Sequence, residues 1–180
     1  MTGVQTCALP ILECETNDTW ARDHGAITMI DNGTPSLLDF TFNGWGVKFA
    51  SDLDNRITRH AVEAEVLKGH YVNRLGFVLE GGSIESDGMG VLLTTSECLL
   101  SPNRNGQLNQ VEIEEYLKST FHLQKILWLD HGYLAGDDTD SHIDTLARFC
   151  STNTIAYVKC DDKEDEHYEA LHEIGRASCR

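Results

Sequence analysis

Alternating apolar and polar positions predict three β-hairpins along the chain. The paired strands are expected at 26–31 with 36–42, at 83–86 with 91–95, and at 142–149 with 154–159. Asn32-Gly33 lies between the first two strands and Asp87-Gly88 between the next two, and both dipeptides favour tight hairpin turns. A period of two residues, typical of half-buried strands, therefore recurs three times.

A helix is predicted after each hairpin, because apolar residues then recur every three to four positions. In the first helix, 54–68, the apolar face consists of Ile57, Ala61, Ala64 and Leu67. The second begins after Asn109, which with Glu112 has the spacing of a capping box, and the third opens near Asp162. Short strands are predicted after the first two helices, at 77–80 and 125–129.

The chain thus repeats one unit of strand, strand, helix and strand. The predicted helix starts at 54, 109 and 162 are 55 and 53 residues apart. A long fixed period of one supersecondary unit indicates an α/β fold of propeller-like or array architecture. An ordinary α+β domain with coincidental spacing is the alternative that the pattern leaves open.

Composition and charge narrow the possible partners. The chain has 180 residues, enough for one domain with its own core, and its formal net charge of -15 argues against nucleic acid. No apolar run is long enough to span a bilayer, so no membrane partner is expected. The six cysteines are irregularly spaced without a CxxC pair, which favours neither disulfides nor zinc and predicts a reducing, cytoplasmic location.

The two ends of the sequence differ from its interior. The codons that would spell 1–11 and 174–180 resemble sequencing-adapter read-through. We therefore expect both ends to be non-biological, and the domain to span 12–173 as an internal piece of a longer protein.

The run GDDTDSHID, 136–144, concentrates titratable side chains. Four of them alternate along it: Asp138, Asp140, His142 and Asp144. In a strand, alternation would place all four on one face. Such a face could bind a metal, hold a cationic substrate, or be a solvated turn. An EF-hand is excluded, since its sixth and twelfth positions would be Ile143 and Phe149 rather than Gly and Glu.

Two further motifs lie upstream. In TNDTWARDHG, 16–25, Trp20 could attract a cation, and Asp23 could accept paired hydrogen bonds from a guanidinium. In LEGGSIESDG, 79–88, Glu80 stands at a strand end before two glycines, which let the backbone approach a ligand or bend sharply. Taken singly, the first motif also fits a surface ion pair beside a packed Trp, and the second fits a simple glycine bend.

The order WxRD, EGG and HxD resembles the agmatine deiminase and bacterial-type peptidylarginine deiminase family, within the guanidino-group-modifying pentein superfamily. The likeness covers nearly all of 12–173 and is carried by TNDTWARDHG, FNGWG, LEGGSIESDG, LLTTSECLLSPNRN and GDDTDSHID. The resemblance implies a pentein fold, which is a five-bladed α/β propeller of ββαβ units. The chain would supply about three of those blades.

The resemblance also implies that a guanidinium group is hydrolysed to a ureido group and ammonia. Asp23 and Asp144 would grip the guanidinium N–H groups and keep the group charged. His142 would protonate the departing ammonia and then activate water. Glu80 would contact the guanidinium or orient His142, and Trp20 would pack against the substrate's alkyl stem or its cation.

Asp138 would add an acidic contact at the rim, and neither a metal nor another cofactor is implied. The family's nucleophile is a cysteine in a glycine-rich segment near its C-terminus, which this chain does not reach. The interior cysteines are expected to be small core residues: Cys14, Cys98, Cys150 and Cys160. The chain alone is therefore expected to lack deiminase activity.

Two substrates and one non-catalytic role remain open. Agmatine, hydrolysed to N-carbamoylputrescine for polyamine synthesis, is the first expectation, and peptidyl-arginine is the alternative on the same fold. A non-catalytic pentein that binds proteins is an alternative of another class. The set of Asp23, Glu80, His142 and Asp144 favours an enzyme, because a binding surface has no need of all four. The sequence leaves the oligomeric state open.

Overall fold

The structure is a computed structural model that describes residues 11–137 and 139–177. Its helices and helical turns are α1 (Ala21–His24), α2 (Gly44–Val47), α3 (Asp54–Glu63), α4 (Ser96–Leu99), α5 (Pro102–Asn105), α6 (Gln110–Phe121), α7 (Ile143–Leu146) and α8 (Tyr168–Ala177). Its strands are β1 (Ile27–Asp31), β2 (Thr34–Thr41), β3 (His70–Val78), β4 (Ile84–Ser86), β5 (Val91–Thr95), β6 (Lys125–Leu129), β7 (Ala147–Ser151) and β8 (Thr154–Tyr157). A 3-10 turn, Gly81–Ser83, precedes β4. The α/β class is confirmed.

The predicted unit of strand, strand, helix and strand is present twice in the described residues. In the first sheet β1 pairs antiparallel with β2, and β2 pairs parallel with β3 across the helix α3. The second sheet has the same order, with β4 antiparallel to β5 and β5 parallel to β6 across α6. A third hairpin, β7 with β8, is followed by α8.

Local signals explain where several of these elements start and stop. Asn32 and Gly33 both have positive φ, 48° and 80°, which is the backbone of the tight hairpin turn that this dipeptide favours. Helix α6 carries the predicted capping box between Asn109 and Glu112, and it ends at His122 in the left-handed conformation.

Other predicted bounds were wrong. Helix α3 ends at Glu63 rather than at residue 68, because Glu65 turns left-handed at φ 58° and the next N–H groups fold back onto the Ala61 carbonyl. Strand β3 already begins at His70, seven residues before its predicted start at residue 77. The last helix begins at Tyr168 instead of near residue 162.

The predicted strand over 142–149 is also wrong at its beginning. Residues Ile143–Leu146 form the helical turn α7, and the strand starts only at Ala147. The turn closes because both the backbone N–H and the side-chain hydroxyl of Thr145 donate to the carbonyl of His142. Four alternating polar residues had suggested a strand face, but a local side-chain hydrogen bond favours a turn instead.

A short helical turn of one design precedes the first strand of each hairpin. These three turns begin after Trp20, Glu80 and His142, which are 60 and 62 residues apart. In each, the N–H three residues later donates to the carbonyl of that first residue, over 2.9, 3.0 and 3.3 Å respectively. The middle turn contacts both of the others. The repeat therefore brings the same point of successive units together.

Two apolar clusters hold this arrangement. The larger one joins both sheets to α6, and its most buried members include Leu92, Leu99, Ile113 and Leu117. In the smaller one, Ile143 and Leu146 of α7 pack with Leu171 and Ile174 of α8, which anchors the third turn. None of the helices in residues 11–137 and 139–177 has the length and apolar character needed to cross a bilayer.

Candidate active site

Three titratable side chains, one from α1 and two from the start of α7, converge on the glycine of the middle turn. A Cβ atom on Gly82 would lie 2.5 Å from His142 Nδ1, 2.6 Å from Asp23 Oδ1 and 3.0 Å from Asp144 Oδ2. These distances are far below ordinary contact for the first two atoms, so only glycine fits. The second glycine of the EGG motif is thus explained by close approach of side chains to the backbone.

His142 is held between two carboxylates. Its Nε2 lies 2.9 Å from Glu80 Oε2, and its Nδ1 lies 3.6 Å from Asp23 Oδ1. An ionised carboxylate only accepts hydrogen bonds, so the contact with Glu80 places a proton on Nε2. The other nitrogen, Nδ1, then faces Asp23 and the point where the side chains converge.

Asp23 is fixed by two donors from different elements. Its Oδ1 accepts the N–H of Gly82 over 3.0 Å, and its Oδ2 accepts the indole N–H of Trp45 over 3.0 Å. Trp45 adopts the left-handed conformation, at φ 55°, within the FNGWG segment. Sequence reasoning quoted that segment without giving Trp45 a role. Its aromatic residue between two glycines was the signal that could have found it.

Glu80 is fully buried and is bound by an arginine that sequence reasoning missed. The guanidinium of Arg104 donates from Nε and Nη2 to the Glu80 carboxylate over 2.9 to 3.1 Å. Burial by itself would raise the pKa of Glu80, but the hydrogen bond from His142 and the charge of Arg104 outweigh it and hold that pKa below its ordinary value. Glu80 is therefore a fixed anion behind His142.

Asp144 lies in a different environment, half-buried and weakly paired. Its cation is Arg22, whose Nε stands 3.7 Å from Asp144 Oδ2 while the side chain is 53% exposed. Burial raises the pKa of Asp144 above its ordinary value, although the charge of His142 acts in the opposite direction. This carboxyl would gain from a further cation.

The convergence point opens into a cleft of about 470 Å³. The cleft is lined by Asp18, Trp20, Arg22, Asp23, Trp45, Phe49, Gly136, Asp137, Thr139, His142, Asp144 and Thr145. Trp20 stands at its rim and is 60% exposed. The structure thus brings Asp23, Glu80, His142 and Asp144 together, with Trp20 beside them, while Asp138 lies outside the described residues.

Glu80, Cys98 and His142 are close enough together for a metal ion to be considered. The chemistry does not fit one, because the buried Arg104 already neutralises Glu80 and its positive charge would repel a cation. Burial also raises the pKa of the Cys98 thiol well above its ordinary value, which disfavours the thiolate that a metal would bind.

The expectation that all interior cysteines are core residues holds only in part. Cys98 is fully buried in the larger apolar cluster. Cys150 is exposed, so the expectation was wrong for it, because it falls on the outer face of β7. Cys14 and Cys160 are half-buried.

The fold is shared with solved deiminases, which defines the class of protein. A cysteine-to-serine variant of agmatine deiminase from C. jejuni, solved with substrate bound, matches with a TM-score of 0.86 and 50% identity over 92% of this chain and 49% of that one. The agmatine deiminase of Enterococcus faecalis matches with a TM-score of 0.83 and 35% identity, over 91% of this chain and 46% of that one.

The sequence gives the family itself. The profile of the Porphyromonas-type peptidyl-arginine deiminases matches residues 2–178, and the chain belongs to that family. The agmatine deiminase of Stutzerimonas stutzeri (strain A1501) is 39% identical over 164 residues, which are 88% of this chain and 44% of that protein. The chain therefore spans about half the length of the relatives it matches.

Proposed function

We propose that the chain is part of a guanidine deiminase that hydrolyses agmatine to N-carbamoylputrescine and ammonia. One observation carries the proposal: Asp23, His142 and Asp144 converge around Gly82 at the floor of an acidic cleft. Two carboxylates and a histidine at one point are the groups needed to hold a guanidinium and to move its protons.

In this proposal Asp23 and Asp144 bind the planar cation from two sides. A guanidinium carbon is a poor electrophile, and it becomes poorer still if the group loses its positive charge. Carboxylates that accept its N–H groups keep the group protonated and fix the orientation of its carbon. Asp144, whose pKa is raised by burial, is stabilised as an anion when the cation arrives.

His142 transfers the protons. Nδ1 of His142 takes the proton of the nucleophilic thiol, and the thiolate attacks the guanidinium carbon. The tetrahedral adduct expels ammonia, which takes that proton from the imidazolium Nδ1. Water attacks the resulting thioether-bound carbon and gives a proton to Nδ1. The C–S bond then breaks as the C=O bond forms, His142 returns its proton to the thiolate, and the hydroxyl proton leaves with the ammonia as ammonium. One guanidinium and one water thus give one ureido group and one ammonium. Glu80 holds His142 through Nε2, so that Nδ1 faces the reacting groups.

We place the nucleophilic cysteine outside this chain. No cysteine lines the cleft among the residues that the structure describes. Cys98 approaches the site only from behind, with its sulfur 3.8 Å from Glu80 Oε2, and its raised pKa keeps it protonated. The substrate-bound relative from C. jejuni, in which a cysteine is replaced by serine, supports a thiol nucleophile in the family. The 180-residue chain alone is then inactive.

The charge of the cleft favours agmatine over peptidyl-arginine. Its lining has four carboxylates, Asp18, Asp23, Asp137 and Asp144, and one guanidinium, that of Arg22. Agmatine carries an amine as well as a guanidinium, so an acidic lining attracts both of its ends. Peptidyl-arginine remains the second candidate, because the exposed Trp20 leaves the rim open to a longer substrate.

We also propose the pentein architecture for the whole protein, a five-bladed propeller in which this chain contributes about three ββαβ blades. The two complete units, the third hairpin and the three turns of one design support it. In such a ring the turns of successive blades meet at the centre, where Asp23, Glu80 and His142 already lie close together.

The test begins by reading the source DNA outward from Leu12 and Glu173 and expressing the full-length protein. It should release ammonia from agmatine with a kcat/KM at least about tenfold higher than from an acetylated arginyl peptide. Asp23→Asn should abolish release, and His60→Gln, on the exposed surface of α3, should not change it. Preference for the peptide would select the second substrate, and ammonia from neither would leave a non-catalytic binding module. Ammonia release by the 180-residue chain itself would contradict the placement of the nucleophile.

A further inference from the structure

Arg104 is buried behind the candidate site and does not line the cleft. Its side chain has 0% exposure, and the reaction proposed above gives it no role. It reaches Glu80 with a two-pronged contact, and it also extends to the loop that leads into His142. A buried arginine with two separate sets of partners is costly to bury unless every donor is used.

The base of Arg104 is held rigidly. It lies on the short turn α5, which has proline at its first position. The next residue, Asn105, pairs with the backbone of Val78 at the end of β3, accepting its N–H over 3.0 Å and donating to its carbonyl over 2.8 Å. Val78 is two residues before Glu80. The arginine and its carboxylate are therefore fixed to the same strand end.

The far side of the guanidinium holds the loop before His142. Its Nη1 donates to Asp140 Oδ2 over 3.2 Å, and its Nη2 donates to the carbonyl of Thr139 over 3.0 Å. Asp140 and Ser141 both have a φ of 59°, the left-handed region that residues with side chains rarely adopt. Two such residues in succession persist only where the surroundings determine them.

We propose that Arg104 is a positioning residue for the deiminase reaction. It fixes both supports of His142, the Glu80 carboxylate behind the ring and the left-handed Asp140–Ser141 segment ahead of it, in the one arrangement that directs Nδ1 at Asp23. This inference rests on the proposed function, since it concerns how that reaction is organised.

Loss of Arg104 has a consequence for the ionisation of Glu80. Among the described residues, the charged or titratable groups that face Glu80 are Arg104, His142 and the thiol of Cys98. Without the guanidinium, the buried carboxylate loses its main cation and takes up a proton at higher pH. A protonated Glu80 no longer fixes the proton of His142 on Nε2. Activity should then fall on the acidic side of the pH profile first.

Three variants of the full-length protein separate these effects. Arg104→Gln should lower kcat for agmatine about 100-fold with a smaller change in KM, and should move the acidic limb of the kcat profile to higher pH. Arg104→Lys keeps the positive charge but lacks the planar, two-pronged guanidinium. The acidic limb of its kcat profile should therefore return to the wild-type pH, while kcat stays low. Asp140→Asn removes the charge that pairs with Arg104 and with Lys48 but leaves the contact of Arg104 with the Thr139 carbonyl, so it should lower kcat about tenfold without moving the acidic limb. Arg56→Gln, on the surface of α3, is the matched control and should change neither.

A second readout does not depend on catalysis. The ring nitrogens of His142, followed by ¹⁵N NMR, should report the Nε2–H tautomer at neutral pH in the wild type and a mixture of tautomers in Arg104→Gln. An unchanged tautomer and an unshifted pH limb would overturn the role of Arg104 even if the variant were slower, because that pattern is simple loss of folded protein. If the tautomer changes in Arg104→Gln but the wild-type protein releases no ammonia, the proposed function is refuted and the positioning role stands. If Arg104→Gln does not fold, Arg104→Lys and Asp140→Asn decide the question by the same two readouts.

Discussion

The turns that begin after Glu80 and after His142 share one backbone design but place a carboxyl group in opposite environments. In both, the hydroxyl three residues on, from Ser83 and Thr145, donates to the first carbonyl, over 2.6 and 2.8 Å. The first turn buries an anion completely and clamps it with Arg104. The second presents Asp144 to the cleft, where Arg22 is partly exposed and its Nε stands 3.7 Å from the carboxylate.

The difference teaches that partners, rather than depth, decide the charge of a carboxyl group. Glu80 is the more deeply buried of the two, yet its pKa is lowered because His142 and Arg104 outweigh burial. Asp144 is only half-buried, yet its pKa is raised because burial outweighs the nearby positive charges. The charge of Glu80 is thus paired within the structure, whereas Asp144 would be stabilised as an anion by binding a further cation.

The largest expected effect comes from replacing Glu80, the carboxylate whose charge is fully paired. Glu80→Gln should lower the free energy of unfolding by about 3–5 kcal/mol, because it leaves the buried Arg104 charge with only the partly exposed Asp140 as counterion. A lowered pKa stabilises the fold above the unfolded-state value, and this stability is lost as pH falls through the folded-state pKa. The free energy of unfolding of the variant, measured by urea denaturation, should therefore fall less than that of the wild type as the pH is lowered. Glu114→Gln, in a surface pair with Lys118, is the control and should cost under about 1 kcal/mol. Equal losses would contradict the comparison.

Replacing Asp144, the weakly paired carboxylate, should affect activity much more than stability. Asp144→Asn should lower kcat/KM for agmatine about 10²- to 10³-fold, since one arm of the guanidinium cradle loses its charge. A raised folded-state pKa means that the ionised group opposes folding at pH values above that pKa, and the cost disappears as pH falls through it. The variant should thus be as stable as the wild type or up to about 1 kcal/mol more stable at pH 7, as urea denaturation would show. Destabilisation beyond that of Asp31→Asn, on the exposed end of β1, would refute this.

Much of the frame followed from local patterns, and the exceptions have a common cause. The first two hairpins, the capping box of α6 and the strand β6 depend on neighbouring residues, so their sequence signals were sufficient. The third hairpin failed at its start, because alternation alone does not reveal that Thr145 closes a turn onto His142. Alternating polar residues show only that a strand with one polar face is possible. A single side-chain hydrogen bond, such as that from Thr145, can favour a turn instead.

The site shows the same limit over longer distances. Asp23, Glu80, His142 and Asp144 stood in recognisable motifs, and the structure brings them together. Arg104 and Trp45 did not stand out, because their partners lie 24 and 22 residues away and no local period connects them. What the sequence could not show is which buried polar groups satisfy one another, since this is settled only by tertiary packing.

The point where both turns meet offers a third test. Gly82→Ala would push a methyl group against His142 Nδ1 and Asp23 Oδ1 and displace the N–H that Asp23 accepts. Because a shift of about 1 Å in a catalytic group costs about 100-fold, kcat/KM should fall by about that factor, with about 1–3 kcal/mol of stability lost to overpacking. Gly76→Ala is the matched control, since a Cβ there meets nothing within 4 Å. Steady-state kinetics and urea denaturation of both variants check this, and equal kinetics would show that the three side chains need not converge.

The smallest effect concerns the remaining turn, whose first residue is Trp20. Unlike Glu80 and His142, Trp20 is 60% exposed, so it should act on binding rather than on the chemistry. An exposed cation–π contact is worth about 0.5–1 kcal/mol, so Trp20→Ala should raise KM for agmatine about 2- to 5-fold and leave kcat unchanged. Val111→Ala, which is 64% exposed on α6, should leave both constants unchanged. A fall in kcat would mean that the turn after Trp20 positions catalytic groups as the turns after Glu80 and His142 do. Exposure of the first residue of a turn would then not distinguish a binding role from a catalytic one.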